Sequence, residues 1–128
     1  MDILERESFS TDQAHALRIE NRIPVYGVDI CIDNFPHEIQ RTAQALNFNK
    51  GCYLGQEPIA RIDAMGHVNW ILVLIQFPTE ISIAPNTSLT LNDKVVAKIG
   101  SVQTVNSESQ RCALALIRRE LANASTEI

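Results

Sequence analysis

Residues 49–61 read N-K-G-C-Y-L-G-Q-E-P-I-A-R and gather an ammonium, a thiol, a phenol, an amide and a carboxylate around two glycines and a helix start. Gly51 and Gly55 admit backbone angles closed to other residues, so Cys52 and Tyr53 can stand on a tight, irregular loop. Pro58 suits the first turn of a helix, where its missing N–H costs nothing, and a helix is expected over about residues 56–63. The positive pole of that helix and the cation of Lys50 would both favour a thiolate at Cys52, the reactive form of cysteine. Gln56 and Glu57 supply hydrogen-bonding groups beside it, and Arg61, four residues past Glu57, is spaced to pair with it and hold the loop. The local pattern leaves a second possibility open, a small buried cysteine in a turn.

The elements that must carry this loop can be read on either side of it. Ser10 and Gln13 form an S-x-x-Q capping box, so a helix is expected from Thr11, ending near Asn21 and Arg22 because Pro24 disfavours helix at Ile23. An extended I-P-V-Y-G-V-D-I stretch follows, breaking at Gly27, and Pro36 suits the first position of another helix reaching about Ala45. After Gly66 the character changes. Residues 68–77 form a long apolar run rich in β-branched residues, bounded by Gly66 and Pro78, and read as a buried strand. Residues 81–86 read as a connection. Residues 88–91 and 94–99 flank Asn92 and Asp93, a pair suited to a hairpin turn. Gly100 is expected to mark a bend or bulge before a strand over residues 101–105, with a polar turn at 106–109, a last strand over 111–117 and a frayed tail from 122. The plan is α+β: a helical first half and about five antiparallel strands, at a spacing that suits a small barrel or sandwich.

Composition narrows the function classes. The chain has 128 residues, 45% of them hydrophobic and 20% charged, so a packed core is expected. A net charge of -4 argues against a nucleic-acid surface, which carries a basic patch. Arg118 and Arg119 read as a solvated strand end. No apolar run approaches the roughly 20 residues that span a bilayer, and the N-terminal M-D-I-L-E-R-E has no signal-like apolar core, so no membrane and a cytoplasmic place are expected. Cys31, Cys52 and Cys112 are far apart, and His15, His37 and His67 are isolated. Neither a disulfide framework nor a structural metal is expected.

K-G-C-Y-L-G-Q-E, followed by A-R and then G-H-V-N, resembles the signature of the YgfZ family of folate-binding proteins, which serve iron–sulfur cluster assembly or repair. These are relatives of the glycine-cleavage aminomethyltransferase (T-protein), which lacks the K-G-C-Y element. The resemblance extends through L-R-I-E-N-R-I-P-V-Y-G-V-D, P-H-E, A-K-I-G-S-V and C-A-L-A-L-I-R-R, and it falls on the C-terminal part of a family member only. It implies that residues 1–66 are a remnant of the folate-binding domain and residues 67–128 a C-terminal antiparallel β-barrel of five to six strands. It implies Cys52 as the reactive centre, supported by Lys50, Gly51, Tyr53, Gly55, Gln56, Glu57 and Arg61. Glu20 stands where the T-protein relatives bind the pterin of tetrahydrofolate, since a carboxylate takes two parallel hydrogen bonds from a pterin N–H edge. Tyr26 would line the same pocket, and the rest of that pocket would come from the missing half. Glu20 also reads simply as an exposed helix-end carboxylate, and Arg18, two residues away, as a salt-bridge former. Two positions depart from the family. Trp70 replaces a basic residue after G-x-V-N and reads as packing. Arg22 replaces a turn glycine, which requires its φ to stay below zero. Iron–sulfur proteins are the implied partners, and apolar surface left by a lost half implies a homodimer. Aminomethyl transfer with tetrahydrofolate and a non-catalytic binding module are the alternatives.

Overall fold

The apolar run after Gly66 becomes strand β1 (Trp70–Pro78), and three more strands follow it: β2 (Ser88–Leu91), β3 (Lys94–Val102) and β4 (Gln110–Arg118). Helices α1 (Thr11–Glu20), α2 (Thr42–Ala45) and α3 (Gln56–Met65) precede the strands, and α4 (Arg119–Ala122) closes the order. The computed structural model describes residues 10–104 and 110–122. Within them the strands form one antiparallel sheet in the order β1-β4-β3-β2, with β1 and β2 at its edges. The α+β plan holds with four strands rather than five, because the backbone runs through Gly100 without leaving β3. The bend or bulge expected at Gly100 is present as a register shift against β4 between Ile99 and Val102. The turn at 106–109 and the tail beyond 122 lie outside the described residues.

β4 is the centre of the molecule, and its period-2 pattern sorts two cores. Cys112, Leu114 and Leu116 face α1 and bury Ile19, with Leu72 of β1 beside them. Ala113 and Ala115 turn to the other face and pack with Phe77, Ile99 and Val102. Leu114 and Ile19 are both fully buried. The helix that precedes the central motif therefore shares its core with the sheet.

α1 is built as its sequence dictates. Ser10 Oγ accepts from the Gln13 N–H at 3.2 Å, and Gln13 Oε1 accepts from the Ser10 N–H at 2.9 Å, completing the capping box. At its other end the Arg22 N–H donates to Ile19 O at 2.9 Å and the Ile23 N–H to Arg18 O at 3.0 Å. That bond pair defines a Schellman ending, which places Arg22 in the left-handed region at φ 54°. The expectation that Arg22 keeps φ below zero is thus corrected. The motif demands a left-handed residue there, and arginine takes it at a steric cost of about 1–2 kcal/mol.

The helix expected from Pro36 to about Ala45 is also corrected. Residues 36–40 are turns, and helix begins only at Thr42. Tertiary bonds to the sheet edge explain the break: the Leu72 N–H donates to Glu38 O at 2.7 Å, and Gln40 Nε2 donates to Leu72 O at 2.8 Å. Gln40 meets that geometry with φ 56°. The β2–β3 hairpin follows expectation, with Asn92 and Asp93 at φ 50° and 61°, the pair of positive angles of a type I′ turn.

Candidate functional site

The motif loop ends where Gly55 adopts φ 82° as the N-cap of α3, an angle that a side chain would strain. The Gln56 N–H donates to Tyr53 O at 3.2 Å, folding the chain back just ahead of the helix. α3 runs two residues further than expected, to Met65, before Gly66 closes it. Cys52 is exposed, so the alternative of a buried turn cysteine is set aside. Among the described residues its Sγ makes no hydrogen bond. Lys50 Nζ stands 5.1 Å from the centroid of the Tyr53 ring, a cation–π distance that gathers two motif side chains next to the thiol in sequence. Glu57 Oε1 and Arg61 Nη2 are 4.0 Å apart, but both side chains are largely in solvent, so the pair adds little rigidity. Gln56 is half-buried, and Gly51 has open space around it. An open groove of about 590 Å³ runs along Tyr53, Leu54, Gly55 and Glu57 to Ala60.

The two residues assigned to folate stand elsewhere. Glu20 is exposed at the end of α1, and its Oε1 accepts from Gln103 Nε2 at 3.0 Å. Gln103 is in turn buried and fixed by the Cys112 backbone on both sides. Tyr26 is 67% exposed. Neither lines the cavities of about 380 to 590 Å³ beside Asp29, Asn69, His37 and Tyr53.

What the V-Y-G-V-D element does hold is a buried ionic lock. The Asp29 side chain is fully buried and accepts from the Val25 N–H at 2.8 Å, from the Ser101 N–H at 2.6 Å and from Ser101 Oγ at 2.8 Å. Arg18 Nη1 donates to it at 3.2 Å, so the salt-bridge reading of Arg18 holds. Gly100 is required here by close approach. A Cβ would strike Asp29 Oδ1 and lie 3.0 Å from its Cα. In the sequence Asp29 ends the V-Y-G-V-D stretch and Gly100 marks the expected bend or bulge, and nothing in their spacing reveals that one closes on the other. Around this lock lies a cavity of about 450 Å³ bounded by Asp29, Cys31, Glu38, Trp70, Lys98 and Gly100. Trp70 packs as expected, flanked by Lys98 Nζ at 5.1 Å and the Arg118 guanidinium at 4.4 Å. Arg118 is therefore half-buried against an aromatic ring rather than a solvated strand end.

Two further groups went unread in the sequence. Among the described residues both buried ring nitrogens of His37 lack a hydrogen-bond partner, and Asp63 Oδ1 of α3 stands 3.6 Å from its Nε2. Cys112 lies in the core, where burial, helped by the charge of Glu20 and opposed by a hydrogen bond with Gln76, pushes its thiol up. Among the described residues no group of three His, Cys, Asp or Glu side chains is placed to hold a metal ion, and no helix is long and apolar enough to cross a membrane. A scan against protein-family models and a search of the curated proteins both return no match for the chain.

Proposed function

We propose that the chain is a YgfZ-like protein acting in iron–sulfur cluster assembly or repair in the cytoplasm, with Cys52 as its reactive centre. One observation carries the reading: the thiol of the K-G-C-Y-L-G-Q-E loop is exposed, three residues ahead of the N-cap of α3 and between Lys50 and Tyr53 in the chain, whose side chains stack on one another. An exposed thiolate can attack a disulfide sulfur of a partner, forming a mixed disulfide and expelling the second thiolate, or it can hold sulfur or a cluster in transit. On this reading the four described strands belong to a small antiparallel barrel of five to six that stays open along the β1 edge. Tetrahydrofolate recognition needs surface beyond Glu20 and Tyr26, so titration of this chain with tetrahydrofolate is expected to show no saturable binding at micromolar concentration. The function is tested in cells that lack their YgfZ-family protein. Wild-type chain is expected to restore the activity of iron–sulfur enzymes, and Cys52→Ala, at equal abundance and with unchanged circular dichroism, is expected not to. Full restoration by Cys52→Ala would remove the reactive-centre reading.

A second reading, a non-catalytic binding module, is favoured by the apolar side chains around the motif. Phe48, Leu54 and Met65 are all more than half exposed, which is the signature of a docking surface. Under that reading Leu54→Ser impairs restoration while Cys52→Ala does not.

A further inference from the structure

The exposed edge of β1 has a hydrogen-bonding pattern of its own. In an antiparallel pair, successive residues point their N–H and C=O alternately toward the partner strand and away from it. Leu72 fixes the phase on β1, because its N–H and C=O are taken by Glu38 and Gln40 on the side away from β4. Leu74 and Gln76 share that phase, so their backbone groups point outward too. Among the described residues these groups have no backbone partner. β1 reads W-I-L-V-L-I-Q-F-P and carries no charge to discourage pairing.

We propose that this edge pairs with β1 of a second copy of the chain, in antiparallel register about a two-fold axis at Ile75. That register sets Leu74 opposite Gln76 of the second copy and Gln76 opposite its Leu74. Each opposed pair exchanges two N–H···O bonds, which makes four in all. The ladder ends itself on both sides. The next pair would be Leu72 with Pro78, but Leu72 is already bonded to the 38–40 turn and Pro78 has no N–H. Ile75 meets its own symmetry mate as a non-hydrogen-bonded β-branched pair, the closer of the two pair types. No charge on β1 is brought against a like charge. The two sheets become one of eight strands, and the partly exposed Val73, Leu74 and Ile75 gain cover. The surface is independent of Cys52 and of the proposed function.

Sedimentation of the wild-type chain across a micromolar concentration series is the test, with Gln76→Pro as the variant. Proline at this position removes an outward N–H and leaves the β1–β4 ladder bonded. The wild type is expected to sediment as a dimer and Gln76→Pro as a monomer of unchanged circular dichroism. Amide exchange decides the matter independently of the variant's folding. Protection of the Leu74 and Gln76 amides should rise with protein concentration, while that of Val73 and Ile75, bonded to β4, should not. A monomeric wild type, a dimeric Gln76→Pro, or concentration-independent exchange at Leu74 and Gln76 would each overturn the proposal.

Discussion

At single residues, several side chains sit in places that their type does not favour. Arg22 occupies the left-handed position of the α1 Schellman ending at φ 54°, where glycine carries no steric penalty. Arg22→Gly is therefore expected to raise stability by about 1 kcal/mol, less than the full strain because glycine also frees the unfolded chain. Urea denaturation measures it. Gly100 is the opposite case, since its missing side chain makes room for Asp29. Gly100→Ala is expected to cost about 1–3 kcal/mol by overpacking, and Asp29→Ala about 3–5 kcal/mol because it strands the buried side of Arg18. Cys112 gives a pH dependence. Burial raises its thiol above the value of the unfolded chain, so at alkaline pH the unfolded state loses this proton first. Its contribution to stability is intact below the ordinary cysteine range and declines as pH rises through and beyond it. Cys112→Ala should flatten this part of a stability profile measured from neutral to alkaline pH.

The elements show what a pattern can and cannot reveal. The capping box of α1, the glycine-bounded α3 and the Asn92–Asp93 hairpin were all legible, because each is decided by residues within four positions of one another. The failures are tertiary. Pro36 promised a helix, yet Glu38 and Gln40 bond the β1 edge and hold residues 36–40 in turns. Gly100 promised a bend or bulge, which is there as a register shift, but the separate strand expected after it is continuous with β3 because β4 pairs on both sides. His37 looked isolated, and only the fold brings Asp63 within 3.6 Å of its buried ring. Replacing His37 with Phe removes two buried nitrogens that lack a hydrogen bond among the described residues, and the half-exposed Asp63 returns to water, so the change is expected to stabilise the chain by about 1 kcal/mol in the same denaturation experiment. Of the candidate site, the loop and its helix were readable from Gly55 and Pro58. The bond from Gln103 to Glu20 was not, since it depends on how α1 docks on the sheet.

At the scale of the whole molecule, α1 and the sheet share one core, whereas α3 contributes no buried residue to either cluster. The helix that bears the motif, like α2 and α4, thus adds nothing to the buried core. Ile19→Ala, which opens a cavity against Leu114, is expected to cost about 2–5 kcal/mol and to lower the midpoint of the entire unfolding transition. A motif that matters for chemistry must draw its reactivity from the loop and helix start themselves, as there is little packing around it to help. The rate of Cys52 alkylation by iodoacetamide at neutral pH, read by mass spectrometry in the native and urea-unfolded chain, isolates that contribution. After correction for the effect of urea on a model thiol, native Cys52 is expected to react about tenfold faster than unfolded Cys52. Exposed Cys31 is expected to show no such gain, and buried Cys112 to react more slowly in the native chain. Equal rates for native and unfolded Cys52 would contradict an activated thiol and leave the loop as a docking surface.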